Sequence, residues 1–373
     1  MNQIRDNGRY AAAIAGAIIT LAGSAAHAGA QDASVLRPAA SLETASFTRI
    51  RGLHELRDGR LLVSDQRENA LWIVDLAVGA REKVGREGAG PDEYRNPIAL
   101  WPFRGDSAIL EDLGNGRLSF YGPDLRMGRT VPMFSVGGGL PDAADTLGRF
   151  YRDNGTSVRT ARARDPAASD RAVIIRVRES APGSVDTIDE VRIAGPPNPR
   201  VWYPWDAWAV GLDGRVFIVR NQDEYRVEWH LPDGRKVTGA TLDDEQAPVT
   251  DEDRRLYSEA HPLGTGGAVS MGERRPARRP ETDFPDRFPF TDPRNVWVDR
   301  EGSGWVGRHE HQRERRPLFD VFDGAGRRVA RVRLPEGRQV VGFGRGSLYA
   351  VRIDEVDLQW LERYDIRSLD GRS

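Results

Sequence analysis

Charged and amide side chains recur at one spacing along this sequence, six residues after a glycine in a predicted tight turn. Guanidinium groups bind carboxylates and phosphates through paired hydrogen bonds. Three arginines in succession at this position therefore predict a site for an anionic or zwitterionic ligand, with carboxylates on its opposite side. Salt bridges between neighbouring segments, or exposure to water, are the alternative that the spacing leaves open. The residues at this position are Asp65, Glu111 (beside Asp112), Asn154 (beside Asp153), Arg220, Arg308 and Arg352.

Two histidines follow the fifth of these positions, in the run His309-Glu310-His311. Alternation along an extended chain places both imidazoles on one side, and His309 is a further candidate ligand-binding residue. A transition-metal site needs three or four ligands, and the sequence offers no third partner, so no such site is predicted. A calcium ion is a separate alternative, because calcium prefers oxygen ligands. Its candidate ligands are Asp65, Glu111, Asp112 and Asn154.

Composition excludes several kinds of function. The sequence has no cysteine, which rules out disulfides, thiolate metal sites and cysteine nucleophiles. Its 54 basic and 56 acidic residues give a net charge of −2, whereas nucleic-acid-binding proteins normally carry a basic excess. It contains no nucleophile elbow, phosphate loop, dinucleotide fingerprint or His-Glu-x-x-His motif. The sequence favours a binding protein and leaves enzymatic activity undecided.

The elements that position these residues repeat six times along the chain. In the clearest unit, the turn Asp58-Gly59 precedes two predicted strands, Arg60–Asp65 and Ala70–Asp75, and a third at Arg81–Val84. Short strands in a regular repeat are typical of antiparallel blades arranged in a ring. We therefore predict an all-β, six-bladed β-propeller of four-stranded blades over residues 42–368, with residues 42–50 supplying the outer strand that the last unit lacks. A β-sandwich is the rival fold, but it would not produce this repeat.

Several segments resemble those of known propellers. Gly85–Pro97 is similar to the segment between blades in NHL-type repeats. Gly114–Tyr121 and Asp354–Leu358 are similar to segments of exported bacterial six-bladed β-propellers of unassigned function. The resemblance implies a small molecule, protein or carbohydrate bound at the loop-rich face around the central channel. Propellers of the lactonase type hold a central divalent ion, and a hydrolase or lyase of that kind is the alternative function.

Residues 243–292 form a predicted insert between the fourth and fifth units. Its segment Thr250–Asp253 has the pattern of a helix start, a hydroxyl cap followed by an acidic third position, and we predict a short helix from Asp251 to about Ala260. The insert is either a solvated loop or a lid over the ligand face. The aromatic segment Trp202–Trp208, before the fourth unit, either fills the seam between blades or offers its rings to a ligand.

The N-terminus has the pattern of a secretory signal peptide. Arg5 and Arg9 precede an uncharged run that ends in Ala26-His27-Ala28, the order found in signal peptides. We predict cleavage after Ala28, a flexible segment over residues 29–41 and a short tail at 369–373. No later segment is long and apolar enough to span a membrane, so the expected location is the periplasm or the medium.

Overall fold

Short antiparallel strands dominate the computed structural model, which describes residues 33–136, 138–165, 167–178, 181–193, 201–222, 224–260 and 283–370. The predicted signal peptide, residues 1–28, lies outside the described residues, as do residues 371–373 of the predicted tail. Residues 367–370, before and within that tail, form a short 3₁₀ helix. Among the described residues, no helix has the length and hydropathy needed to cross a membrane.

Six antiparallel sheets follow one another along the chain, and the first strands of most neighbouring sheets contact each other around a ring. The predicted six-bladed β-propeller of four-stranded blades is therefore confirmed. The strands are β1 (Ser34–Val35) and β2 (Pro38–Ser41); β3 (Ile50–Glu55), β4 (Leu61–Asp65), β5 (Ala70–Asp75) and β6 (Ala80–Val84) in blade 1; the parallel pair β7 (Arg86–Glu87) and β8 (Glu93–Tyr94); β9 (Pro97–Pro102), β10 (Ala108–Asp112), β11 (Arg117–Tyr121) and β12 (Met127–Pro132) in blade 2; β13 (Ala143–Ala144), β14 (Arg149–Asp153), β15 (Arg171–Arg178) and β16 (Ala181–Arg192) in blade 3; β17 (Ala207–Val210), β18 (Val216–Asn221), β19 (Tyr225–His230) and β20 (Lys236–Thr238) in blade 4; β21 (Thr291–Val298), β22 (Gly304–Arg308), β23 (Leu318–Phe322) and β24 (Arg328–Arg333) in blade 5; and β25 (Arg338–Gly344), β26 (Ser347–Ile353) and β27 (Gln359–Asp365) in blade 6.

The N-terminal segment closes the ring, but not with the residues that we predicted. Strand β2 pairs antiparallel with β27 and supplies the fourth strand of blade 6, while β1 adds to β24 of blade 5 in parallel. Two paired strands, β1 and β2, thus occupy most of residues 34–41 in the segment predicted to be flexible, and the outer strand precedes residues 42–50. Within 42–50, the Leu42 amide donates to the Leu361 carbonyl at 2.9 Å and Phe47 forms a single bridge to Gln359. The sequence missed β2 because its residues, Pro-Ala-Ala-Ser, lack the apolar alternation of a strand.

Apolar side chains fill the seams between blades. Between blades 6 and 1, Leu53 and Val63 pack with Val351 and Leu361, and all four are buried. Each such side chain stabilises the fold by about 1.5–3 kcal/mol. In a chain without cysteine, this packing must hold the ring closed without disulfides.

Tight turns set the register of the second strand in each blade. Gly59, Gly214 and Gly302 have φ values of 89°, 84° and 89°, a region that other residues rarely adopt. Each turn lies between the first and second strands, so a fixed count of residues from its glycine reaches the far end of the second strand. Asp65 and Arg308 are the last residues of β4 and β22, as the spacing predicts.

In the described part of the chain, two α-helices interrupt the strands. Helix α2 (Asp251–Ala260) lies in the insert and begins as predicted, because Thr250 and Asp253 cap it reciprocally: each backbone N–H is bound by the other residue's side chain, at 2.9 and 3.2 Å. Helix α1 (Gly155–Arg164), between β14 and β15, was not predicted. Its residues form no apolar stripe and its first residue follows Asn154 without a side-chain cap, so no local pattern indicated it.

Candidate functional site

Arg220, near the end of β18, lies in the seam between blades 3 and 4. Its guanidinium forms ion pairs with Asp189 at 3.0 Å, Asp206 at 3.0 Å and Glu228 at 2.7 Å. It also donates a hydrogen bond to the carbonyl oxygen of Glu190 at 2.7 Å. These carboxylates belong to both blades, so Arg220 joins blade 3 to blade 4.

Arg308 occupies the equivalent place between blades 4 and 5. It forms ion pairs with Asp244 at 2.6 Å and Asp320 at 2.8 Å. Arg328 and Arg331 bind the same two carboxylates. The result is a charge cluster of three arginines and two aspartates, with every member largely shielded from solvent.

Arg352, the third arginine of the series, is about one-third exposed. It lies 3.5 Å from Glu43 and 3.8 Å from Glu362, with its guanidinium over the ring of Trp360. All three arginines therefore have carboxylates as their partners. The expectation that they present guanidinium groups to an anionic ligand does not agree with this geometry. Salt bridges, the alternative that the spacing left open, account for these partners, and those of Arg220 and Arg308 join neighbouring blades.

Asp65 and Asp112, two of the predicted opposing carboxylates, also have structural partners. Asp65 is fully buried and accepts hydrogen bonds from the backbone N–H and hydroxyl of Thr48 at 2.6 and 2.7 Å, and from the Arg49 N–H at 3.0 Å. Asp112 is equally buried and pairs with Arg117 at 2.8 Å. Both carboxylates hold loops at the ends of their blades.

The predicted calcium ligands do not form one site. Asp65 and Asp112 are taken up by the donors just described. The side-chain oxygen of Asn154 accepts the backbone N–H of Val173 at 2.8 Å. The residues present do not fit a calcium ion at the predicted position, and we derive no chemistry from one.

One other group of possible metal ligands occurs among the described residues. Ligand atoms of Asp189, Glu228 and His230 lie within 4.8 Å of one another. Both carboxylates of this group already bind Arg220, and both lie 3.1 Å from the ammonium group of Lys236. Arg220 and Lys236 thus neutralise the two carboxylates that would otherwise bind a metal ion, and the group is a structural ion-pair network.

Glu111 differs from the other predicted carboxylates because no ion pair holds it among the described residues. It is 8% exposed, and its carboxylate faces the backbone N–H of Ala99 in the innermost strand β9. Burial and the negative charge of nearby Asp142 raise the pKa of Glu111, while the Ala99 N–H and Arg51 act in the opposite direction. Glu111 therefore lies near a second carboxyl group, that of Asp142, which the sequence did not indicate.

A cavity of about 380 Å³ runs along the innermost strands of blades 2 to 5. Trp101 of β9, Trp208 of β17 and Trp297 of β21 form much of its wall, together with Asp142 and Asp153. Because these residues come from innermost strands and from the segments beside them, the cavity belongs to the central channel of the propeller. Its volume lies in the range of small-ligand sites, about 300–1,000 Å³.

The two channel aspartates have different environments. Asp153 accepts the indole N–H of Trp208 at 2.9 Å and the backbone N–H of Gly155 at 2.7 Å, so it orients the ring and holds the start of α1. Asp142 accepts the backbone N–H of Asp153 at 3.1 Å and is exposed on the wall of the channel cavity. The surrounding protein desolvates Asp142 and, with the charge of Asp153, raises its pKa to about 6. Asp142 can therefore gain or lose a proton near neutral pH.

Basic side chains lie close to these carboxylates. Arg51 acts on the charge of Glu111, and Arg152 and Arg159 act on the charge of Asp142. We call the part of the channel beside Asp142 and Asp153 the channel mouth. It combines carboxyl groups, guanidinium groups and aromatic rings, and it has no strong excess of either charge. Such a surface offers both donors and acceptors to a polar ligand.

His309 packs beneath the insert. Its ring stacks on Phe288 with a centroid distance of 6.1 Å, and burial lowers its pKa to about 4, although Asp292 acts in the opposite direction. The described walls of the channel cavity do not include His309. The imidazole is therefore a neutral packing group at pH 7.

The described part of the insert is docked on the loop that follows β22. Asp253 of α2 accepts hydrogen bonds from the His311 ring at 2.9 Å and from the Gln312 N–H at 2.7 Å. Trp202 packs edge-on against Tyr257 of α2, with centroids 5.1 Å apart. The aromatic segment of the sequence is therefore divided, because Trp202 packs on the insert whereas Trp208 lines the channel. Residues 261–282 of the insert lie outside the described part of the chain.

Most of the channel residues were not predicted from the sequence. The six-residue spacing concerns only the second strand of each unit, and no pattern indicated Asp142. The first strands contain Trp101, Trp208 and Trp297, each four to six residues before a turn glycine. An alignment of the first strands would have brought these three rings together at the centre of the ring.

No protein-family model matches the chain, and no curated protein matches it in sequence. Solved six-bladed β-propellers share its architecture, and the fold therefore places this chain among proteins of that architecture. Aldose sugar dehydrogenase from Streptomyces coelicolor, in its PQQ-bound form, is 16% identical, with a TM-score of 0.44 over 88% of this chain and 97% of that one. Virginiamycin B lyase from Staphylococcus aureus is 9% identical, with a TM-score of 0.39 over 89% and 88%. A provisionally assigned exported protein of Bacteroides fragilis is 13% identical, with a TM-score of 0.47 over 87% and 92%. These similarities carry no argument about activity.

Proposed function

We propose that this protein is an exported binding protein whose central channel holds a small, hydroxyl-rich ligand such as a mono- or disaccharide. One observation carries the proposal: three tryptophan rings and two carboxyl groups line a single cavity of about 380 Å³. Aromatic faces pack against the C–H faces of sugar rings. Carboxylate oxygens accept hydrogen bonds from hydroxyl groups.

The balance of charge supports a neutral ligand over an anion. Arg220 and Arg308 are neutralised by carboxylates in the seams between blades. Asp142 and Asp153 lie on the channel wall itself. The arginines near Asp142 only balance these carboxylates, so a free anion gains little net attraction, whereas a polyol uses the carboxylates as acceptors. The anionic ligand expected from the sequence is therefore the less favoured form of the proposal.

Ligand titrations test the proposal directly. Glucose, N-acetylglucosamine, cellobiose and chitobiose are the neutral probes, and glucosamine and gluconate are the charged comparisons. Binding is measured by calorimetry and by tryptophan fluorescence, since three of the nine tryptophans line the cavity. We expect at least one neutral probe to bind and the variants Trp208→Leu and Asp142→Ala to weaken it about tenfold or more.

A matched control separates the channel from general effects. Trp360→Leu alters a tryptophan in β27, the strand next to the outer strand β2 of blade 6, and Glu355→Ala removes an exposed carboxylate. Neither should change the affinity. If no neutral probe binds, or if control and channel variants weaken binding equally, the channel is not the ligand site.

A second candidate is acid–base catalysis in the same channel. The observation that favours it is Asp142, because a carboxyl group with a pKa of about 6 can take up and release a proton near neutral pH. Hydrolysis of a sugar lactone is a suitable reaction: water adds to the carbonyl carbon, the ring C–O bond breaks, and the departing oxygen receives a proton. Base consumption with glucono-δ-lactone at pH 7 should be faster with the parent protein than with Asp142→Asn. Equal rates would leave binding as the function.

Export is proposed from the sequence pattern of residues 1–28. Mass spectrometry of the protein recovered from the periplasm or medium should find Gly29 as its first residue. A mature chain that begins at Met1 and stays in the cytoplasm would contradict export.

A further inference from the structure

A groove lies between blades 2 and 3 at the end of the propeller opposite the channel mouth. It has a volume of about 460 Å³. Arg149, on its wall, begins β14, whereas Asp153, at the channel mouth, ends the same strand. The groove is therefore separate from the channel cavity. Its described lining is Phe103, Arg104, Arg129, Leu147, Gly148, Arg149 and Arg178, and we call it the arginine groove.

The described lining of the arginine groove contains four guanidinium groups and no carboxylate. Arg149 is matched by a buried partner, since it pairs with Asp145, and it also donates to the Asp213 carbonyl oxygen at 2.8 Å. Arg104 and Arg178 are exposed, and no described carboxylate pairs with either of them. Within the described structure, the groove thus keeps a positive charge that its surroundings do not neutralise.

Two described carboxylates in the turns beside the groove already have partners. Asp145 is fully buried and also accepts the hydroxyl of Tyr151 at 2.9 Å. Asp106, in the same turn as Arg104, accepts the backbone N–H of Arg57 at 3.0 Å and lies 3.7 Å from its guanidinium. Both carboxylates therefore bind donors other than Arg104 and Arg178.

Packing gives the groove a fixed floor. The ring of Phe103 meets Phe120 edge-on at 5.3 Å and lies close to Gly148, where an added Cβ would come within 3.0 Å of it. Arg129 lies over Phe120, with its guanidinium carbon 3.6 Å from the ring centroid. The aromatic floor thus carries Arg129, and blades 2 and 3 each contribute two arginines to the lining.

We propose that the arginine groove binds a ligand that carries two or more phosphate or sulfate groups. Arginine forks match the oxygens of these groups through paired hydrogen bonds. Clustered charge in a concave surface also attracts the opposite charge from solution. A ligand with several such groups is favoured because each exposed contact alone contributes little. The site is independent of the neutral ligand proposed for the channel.

Calorimetric titration of the full mature chain tests the site, with tripolyphosphate and sucrose octasulfate as separate probes at about 50 mM salt. The double variant Arg104→Gln/Arg178→Gln should weaken the preferred probe about tenfold, from two contacts of a few-fold each. Arg104→Lys/Arg178→Lys keeps the charge but loses the paired geometry, and it should weaken binding about threefold. Comparison of the two probes shows whether phosphate or sulfate is preferred.

The control is Arg313→Gln/Arg315→Gln, which changes the net charge by the same amount on the loop after β22, where both side chains are at least 70% exposed. It should bind as the parent does, and the melting temperatures of all variants should agree because the substitutions are at the surface. If the control loses as much affinity as the groove variant, only net charge matters and the site is wrong. Failure of the parent to bind either probe would also overturn it, and this result is independent of the channel titrations.

Discussion

Loss of the Asp320 carboxylate should destabilise the ring far more than loss of its partner Arg308. Asp320 is fully buried in β23, where it binds Arg308 at 2.8 Å, Arg331 at 2.9 Å and the hydroxyl of Tyr225 at 2.9 Å. With Asp320→Ala, the three arginines of the cluster face the single carboxylate of Asp244. With Arg308→Met, two arginines still face two carboxylates.

The magnitudes follow from this charge balance. Breaking a buried ion pair from one side costs about 3–5 kcal/mol, because the remaining charge is left uncompensated, and Asp320→Ala should cost about that much. Arg308→Met keeps the apolar part of the side chain and leaves no unmatched carboxylate. Its cost should be about 1–2 kcal/mol, the value of the hydrogen bonds that are lost.

Equilibrium unfolding in urea, followed by tryptophan fluorescence, measures both values as changes in the free energy of unfolding. Asp365→Ala is the control, because Asp365 and Arg367 form an exposed pair at the end of β27, and it should change the free energy by about 0.5 kcal/mol or less. Equal losses for Asp320→Ala and Arg308→Met would refute the charge argument. So would a loss for Asp320→Ala no larger than that of the control.

Three further outcomes are expected. Asp253→Ala should increase hydrogen exchange in α2, whereas Asp251→Ala, at a fully exposed position, should not. Burial acts to raise the pKa of Asp253, but hydrogen bonds from Thr250, His311 and Gln312 outweigh it and lower the pKa to about 2. The docking of α2 should therefore be complete above pH 4 and be lost as the pH falls through 2. Gly304→Ala should destabilise the protein by about 1–3 kcal/mol in urea, since its Cβ would come within 2.4 Å of an aromatic ring in the neighbouring blade, whereas Gly183→Ala meets nothing within 4 Å and should be neutral. Saccharide binding should weaken as the pH falls through 6, where Asp142 gains a proton and loses an acceptor, and an Asp142→Asn variant that keeps this pH dependence would contradict the assignment.

Local residue types were sufficient for most of the architecture. The turn glycines take a backbone region that few other residues adopt, and alternating apolar residues beside them can form little except short strands. The reciprocal contacts of Thr250 and Asp253 lie three residues apart, so the start of α2 could be predicted. Strand β2 and helix α1 lack such local patterns, and only pairing with distant segments or docking on the ring defines them.

The sequence by itself determined that Arg220, Arg308 and Arg352 occupy equivalent ends of three second strands, because a glycine turn fixes the count of residues along each strand. It did not determine what those side chains bind, since their partners are distant in sequence; Glu43, for example, precedes Arg352 by 309 residues. Closure of the ring brought Arg220 and Arg308 into seams with carboxylates, and the docking of the N-terminal segment brought Glu43 to Arg352. The same closure brought the tryptophans of separate blades together around one cavity, and only the tertiary structure could reveal that site.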